Sequence, residues 1–254
     1  MMLVLGGTSD GVLIAQKLYE AKKAIVLSTA TEYGERIAGL GYEGEIVHGK
    51  MDVEALSAFC VERKIERIVD ATHPFAKIVS ETAIQVCKAL NLHYDRYERP
   101  ESEILMTEAS TGDILFFDSY EAAGKFVNTR EGNILVTTGS KEIEKLTEVI
   151  ENKARIFVRF LPVSEQLLKM EALGFLPNQM MLLQGPFSVE MNKAMLEKIQ
   201  AKFLITKESG ASGKTDEKIE AARSCGVKSI VIRRPYVAYP NVFKSIEALL
   251  EELK

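Results

Sequence analysis

The sequence predicts an α/β protein of two doubly wound domains with mainly parallel sheets. Three observations carry that expectation. Short β-rich runs alternate with longer helix-period segments along nearly the whole chain. One charged, proline-bearing stretch, Arg96-Tyr97-Glu98-Arg99-Pro100, interrupts the alternation, which then restarts. The length of 254 residues leaves room for two domains of about 100–150 residues each. Strand–helix alternation of this kind means parallel strands covered on both faces. The expected boundary lies near residues 97–103, giving one domain over 1–98 and a second over 99–254.

In the first half, strands are expected at Met2–Leu5, Ala24–Thr29, Glu45–Val47, Arg67–Ala71 and His93–Arg96. Helices are expected between them at Ser9–Ala21, Val53–Arg63 and Phe75–Leu90, with Asp52 as N-cap of the second because its carboxylate can accept from the free N–H groups of the first turn. In the second half the alternating segments are Leu115–Phe117, Tyr120–Asn128, Ile134–Thr137, Lys141–Ile150, Arg155–Arg159 and Glu165–Leu173. They continue through Met180–Leu183, Val189–Ile199, Phe203–Thr206, Asp216–Cys225, Ser229–Ile232 and Val242–Glu252. No internal sequence repeat and no low-complexity segment is evident.

Composition excludes several function classes. Hydrophobic residues make up 46% and charged residues 27%, ordinary globular values. The net charge of −4 gives no sign of a nucleic-acid partner, so an anionic ligand needs a local basic patch. No apolar run approaches the roughly 18 residues of a membrane span, and no signal-like segment opens the chain, so a cytoplasmic protein without a membrane partner is expected. Cys60, Cys87 and Cys225 are far apart and odd in number, which reads as reduced, partly buried thiols. His48, His73 and His93 stand alone, no metal-ligand spacing appears, and no metal site is expected.

Ligands of open parallel sheets bind beyond the carboxyl ends of the strands, so the residues after each strand carry the functional reading. After the first strand comes Gly6-Gly7-Thr8-Ser9-Asp10-Gly11, where backbone N–H groups and the following helix N-terminus suit a phosphate. The middle glycine of a dinucleotide fingerprint is replaced by Thr8, whose hydroxyl can donate to a phosphate oxygen. The plainer alternative is a tight turn capped by Ser9 or Asp10. The second strand runs into Ser28, Thr29, Thr31 and Glu32, the edge that meets an adenosine ribose in dinucleotide folds; the nearest arginine is Arg36. The fourth ends in Asp70-Ala71-Thr72-His73-Pro74-Phe75, where Asp70 can be read as a magnesium ligand and His73 as structural or catalytic.

In the second half, the strand ends Thr137–Lys141, Arg159–Pro162, Gln184–Phe187 and Thr206–Thr215 carry hydroxyls and basic side chains that suit a polycarboxylate. Ser212-Gly213-Lys214-Thr215 ends like a P-loop, but Glu208 occupies the position of its first glycine. Lys214 and Lys218 therefore read as exposed helix charges, and Lys207 as the better ligand contact.

Taken together these strings resemble the precorrin-6A reductase family of cobalamin biosynthesis. The matching pieces are Gly6–Gly11, Asp70–Ala76, Tyr97–Pro100, Thr138–Lys141, Arg159–Val163, Gln184–Ser188, Thr206–Gly213 and Arg233–Pro235, in family order over nearly the whole chain. The resemblance implies two Rossmann-like domains with an interdomain cleft, and reduction of one macrocycle double bond of precorrin-6A, or its cobalt form, by NADPH or NADH. It implies a polycarboxylate tetrapyrrole substrate, with other enzymes of that pathway as conceivable partners.

On this reading Gly6, Gly7, Thr8, Ser9 and Gly11 hold the pyrophosphate, and Ser28, Thr29 and Glu32 the ribose. Thr72, His73 and Pro74 lie near the nicotinamide. Ser140, Lys141, Arg159, Gln184, Lys207, Ser209, Gly210 and Ser212 bind substrate, and His73 or Lys207 delivers the proton. An arginine is expected after the second strand of NADPH-preferring members; Ala30-Thr31-Glu32 stands there instead. The rival readings are a non-catalytic tetrapyrrole or nucleotide carrier and a P-loop-like nucleotide enzyme.

Overall fold

The computed structural model describes residues 1–102, 104–105, 112–210 and 213–254. The chain divides into two compact units, residues 1–100 with 235–254, and residues 101–234. The first unit opens with β1 (Met2–Leu5), α1 (Ser9–Glu20), β2 (Ile25–Thr29), α2 (Glu32–Ala38), β3 (Ile46–His48), α3 (Val53–Glu62), β4 (Arg67–Asp70), α4 (Lys77–Leu90) and β5 (His93–Tyr97). The second holds β6 (Ile114–Phe117), α5 (Tyr120–Asn128), β7 (Asn133–Val136), α6 (Ile143–Thr147), β8 (Ile156–Phe160), α7 (Ser164–Ala172), β9 (Met180–Leu182), α8 (Val189–Lys198), β10 (Ala201–Lys207), α9 (Thr215–Ser224) and β11 (Lys228–Ile232). The chain then re-enters the first unit as β12 (Val242–Phe243) and α10 (Ile246–Glu252).

Among the described residues both sheets are six-stranded and parallel throughout, in the orders β12-β5-β4-β1-β2-β3 and β6-β11-β10-β7-β8-β9. The first is the doubly wound dinucleotide order, with β12 as its sixth strand. The second repeats the pattern, with β6 as the outlying strand, although the sequence shows no repeat. Direction reverses between β1 and β4 in one sheet and between β7 and β10 in the other, which fixes where a ligand can enter between diverging loops.

Strand alternation explains the burial. On β1, Val4 joins Ile14, Leu18, Leu27, Val69 and Leu249 on one face of the sheet, while Leu3 and Leu5 join Val26, Leu56, Ile68 and Val86 on the other. With both faces covered, the strands read as continuous apolar runs. In the second unit Leu135, Leu196, Leu204, Ala221 and Ala222 form the corresponding layer.

The structure departs from the sequence expectations in four places. The last twenty residues do not belong to the second domain: the first unit takes back 235–254, because β12 pairs with β5 and Asn241 Nδ2 donates to Asp95 at 2.7 Å. The segment expected as one element over Val242–Glu252 is thus a short strand followed by a helix. Glu32 does not lie in a loop; it is the first residue of α2, whose N-cap Thr31 accepts from Gly34 N at 3.0 Å.

The charged stretch Arg96–Pro100, expected as the break between domains, carries buried charges. Arg96 and Tyr97 end β5, and Arg96 is fully buried. Its Nη1 donates to Asp70 Oδ1 at 2.8 Å and its Nε to Glu98 Oε2 at 2.8 Å, with the Tyr239 ring 5.1 Å away. Arg99 pairs with Asp10 at 2.7 Å. Asp52 does cap α3, accepting from Ala55 N at 2.9 Å, as expected. Among the described residues no helix is long and apolar enough to cross a membrane.

Candidate active-site loops

In the first unit, the loops after β1 and β4 flank the reversal point. The cap of α1 is Thr8, rather than Ser9 or Asp10: its Oγ1 accepts from Gly11 N at 3.0 Å and donates to Ala71 O at 2.9 Å. That hydroxyl hydrogen is spent on tying the two loops together, which corrects the expectation that it donates to a phosphate. The glycines have separate tasks. A Cβ on Gly6 would sit 2.7 Å from Leu27 Cδ1, and one on Gly11 would sit 3.0 Å from Gly6 Cα. Gly7 has φ +91 with open space where a Cβ would point. No acceptor takes the backbone N–H of Gly7, Thr8 or Ser9 among the described residues. The result is an open turn with donors at a helix N-terminus, the arrangement that binds a pyrophosphate. Asp10 does not oppose this, because it is buried against Arg99.

At the end of β2, Ser28 and Thr29 are buried; Ser28 O accepts from Gly6 N at 2.8 Å, and Thr29 Oγ1 donates to Thr31 O at 3.2 Å. Glu32 is exposed on the first turn of α2. At the end of β4, Asp70 accepts five hydrogen bonds: from Thr72 N, Thr72 Oγ1 and Arg96 Nη1 on one oxygen, and from Ser80 and Tyr94 hydroxyls on the other. Burial alone would raise its carboxyl, but Arg96 and the hydroxyls of Ser80, Thr72 and Tyr94 hold it below the usual range. A fully buried carboxylate with every lone pair engaged has no place for a cation, so the magnesium reading fails. Asp70 instead fixes the turn that presents Thr72, His73 and Pro74. His73 is half-buried, and its Nδ1 accepts from Phe75 N at 3.2 Å, which assigns the proton of the neutral ring to Nε2.

In the second unit the loops after β7, β8, β9 and β10 hold the expected substrate residues. Ser140, Ser209 and Gly210 are buried, Lys141 and Gln184 are exposed, and Ser212 lies outside the described residues. Gly139, after β7, has φ +80 with open space beyond it, as Gly7 has after β1. Glu208 does not project into an anion cradle. It pairs with Arg234 and accepts from Gly210 N at 3.0 Å and Ser102 N at 3.3 Å, so it shapes the loop after β10.

Two basic side chains gather where the sequence pointed, and a third joins them. Arg159 is 5% exposed, its Nη1 donating to Asn192 Oδ1 at 2.8 Å, its guanidinium 4.2 Å from the Phe187 ring. Burial pushes it down to about 10. Burial and neighbouring Lys141 push Lys207 down to about 8. Lys218 is not the exposed charge that the sequence suggested. It is half-buried, its Nζ donating to Gly213 O at 2.8 Å, and burial with Arg159 and Lys207 nearby pushes it down to about 7. The signal that would have found it is its helical place: on α9 it sits one turn after Lys214, on the side turned to Gly213. Lys214 itself is exposed and pairs with Glu217.

A family model described as precorrin-6x reductase CbiJ/CobK matches residues 1–254. The cobalt-precorrin-6A reductase of Methanococcus maripaludis is 34% identical over 99% of this chain and 98% of its own. That of Methanocaldococcus jannaschii is 32% identical over 98% of this chain and 96% of its own. A solved structure titled CobK precorrin-6A reductase aligns with a TM-score of 0.81 over 99% of this chain and 95% of that one, at 22% identity, and so shares the fold. The chain belongs to the precorrin-6x reductase family. It is an oxidoreductase of cobalamin biosynthesis that reduces a double bond in the macrocycle of precorrin-6A or cobalt-precorrin-6A, and its family uses a reduced nicotinamide cofactor.

Proposed function

We propose that the protein reduces cobalt-precorrin-6A, with NADH favoured over NADPH. The observation that carries the cofactor assignment is the open turn at Gly7, whose N–H group, with those of Thr8 and Ser9, meets no protein acceptor among the described residues. Gly6, Gly7, Ser9 and Gly11 would lie along the pyrophosphate, with Thr8 holding the loop in shape. The cofactor, when bound, supplies a hydride. The cobalt form is favoured because relatives above 30% identity carry that name.

Glu32 decides the cofactor. Its carboxylate, beyond β2, accepts from a ribose 2′-hydroxyl and repels a 2′-phosphate. Glu32→Arg is expected to shift the ratio of kcat/KM for NADPH over NADH by about tenfold or more. The check is initial rates with each cofactor against cobalt-precorrin-6A and precorrin-6A; an unchanged ratio removes Glu32 from the ribose site.

The substrate's carboxylates are taken by Lys141, Arg159 and Lys207 together with Ser140, Gln184, Ser209 and Gly210. Two groups are suited to delivering the proton that follows the hydride. Lys207, held at about 8 and so near working pH, would donate from its ammonium; His73 would donate only as imidazolium, which needs Nδ1 to give up the bond it accepts from Phe75 N. Of His73→Gln and Lys207→Met, the variant that removes the proton donor is expected to lower kcat by about 10²–10⁴ and to erase one limb of the pH profile. A kcat at the wild-type level across pH excludes the residue replaced.

A further inference from the structure

Buried guanidinium groups in this protein have two different surroundings. Arg96 meets two carboxylates, Asp70 and Glu98. Arg159, also buried, meets none among the described residues: its partners there are Asn192 Oδ1 at 2.8 Å and Met195 Sδ at 3.3 Å, with Phe187 against its face. Among the described residues its Nε and Nη2 have no acceptor, yet neither is among the polar atoms sealed from solvent without a partner. A charge is thus held inside the second unit with two donor nitrogens still reaching accessible space. An unneutralised buried cation is costly to keep unless an anion is destined for it.

Asn192 is what orients this charge. Its Nδ2 donates to Ser188 O at 2.8 Å and to Phe187 O at 3.4 Å, so the amide is anchored and its oxygen is aimed at Arg159. Aspartate has the same shape and would neutralise the guanidinium; asparagine orients it and leaves its charge available. Lys218 contributes a second cation to the same place. The groups that bear on it electrostatically are Arg159 on β8, Lys207 on β10 and Glu217 on its own helix, and Glu217 is already paired with Lys214.

We propose that Arg159 and Lys218 form a socket for one carboxylate arm of the macrocyclic substrate, with Asn192 as the positioning residue that presents Arg159 without discharging it. This rests on the reading above that Arg159 faces substrate. The occupant's carboxylate draws a proton onto Lys218, so affinity is greatest at and below about pH 7 and falls as the pH rises above it.

The test is steady-state kinetics with cobalt-precorrin-6A at saturating cofactor. Asn192→Asp is expected to raise KM for the tetrapyrrole about 10- to 100-fold, the equivalent of one charge-assisted hydrogen bond, with kcat and the cofactor KM little changed. Lys218→Met is expected to raise the same KM, and Lys218→Arg to restore it and to weaken its rise between pH 7 and 9. Titration of each variant with uroporphyrin, an eight-carboxylate tetrapyrrole, followed by absorbance, gives a binding readout independent of turnover, with affinity falling in the same order. An unchanged KM in Asn192→Asp, or a fall in kcat alone, overturns the proposal. If Asn192→Asp does not fold, the Lys218→Met and Lys218→Arg pair decides it, since Lys218 is only half-buried. Arg159→Met separates the two levels: if it raises KM while Asn192→Asp and Lys218→Met do not, the socket fails and the substrate face stands. If it leaves KM unchanged, the substrate face itself fails.

Discussion

Arg96→Met is expected to destabilise the first unit by about 3–5 kcal/mol, because it leaves the buried carboxylates of Asp70 and Glu98 without their counter-charge. At about 2–4 °C per kcal/mol, its thermal transition drops by about 6–20 °C. The measurement is melting followed by circular dichroism, with urea midpoints at unchanged m as the companion. The pH sense follows from the same network. Asp70 is held below its unfolded value of about 3.9, so its contribution is present above that pH and is lost as the pH falls through the folded value. Asp70→Asn is therefore expected to lose stability at neutral pH and to unfold with a shallower dependence on acid. A melting temperature unchanged in Arg96→Met would mean that the buried ion pair is energetically idle.

The network has a functional side as well. Asp70 holds Thr72 by two hydrogen bonds and Ser80 by one, so it fixes both ends of the turn carrying His73 and Pro74. Arg96 sits on β5, whose outer neighbour is the returning β12. The turn beside the Gly6–Gly11 loop is thereby braced by the returning strand β12.

That bracing marks where the sequence stopped being readable. The strands were legible because a parallel strand covered on both faces is an uninterrupted apolar run, as in Leu3-Val4-Leu5 and Ile134-Leu135-Val136. The turn after β1 was legible because glycines at a strand end have few other uses. By contrast, α2 is seven residues long with Gly34 inside it and Ala38 as its buried position, so it has almost no periodic signal. The stretch Arg96–Pro100 read only as a break between domains, because Asp70 and Asp10, which pair with Arg96 and Arg99, are distant in sequence. The return of β12 depends on pairing across more than a hundred residues, for which a single sequence holds no local cue. Lys218 was misread in part for the same reason: Arg159 and Lys207, the cations near it, come from β8 and β10.

Arg159→Met is expected to act on stability in the opposite sense to Arg96→Met, and to weaken substrate binding. The folded environment disfavours the Arg159 charge, since burial alone brings it down to about 10 with no carboxylate to offset the cost. Methionine has similar reach, and it would rest against Met195 and Phe187, which already contact Arg159. Replacing an uncompensated buried charge by a packed apolar side chain is neutral or stabilising by about 1 kcal/mol or more, so the melting temperature of the second unit should hold or rise by about 2–4 °C. On the proposal that Arg159 meets a substrate carboxylate, the same change removes a charged donor from it, and kcat/KM for the tetrapyrrole should fall about 10- to 100-fold through KM. A protein that gains stability as it loses substrate affinity has been storing electrostatic cost at a binding position, which structure-holding residues do not do. If Arg159→Met instead melts as early as Arg96→Met, the guanidinium is a structural element, and the anion it was held for is its own neighbourhood rather than a ligand.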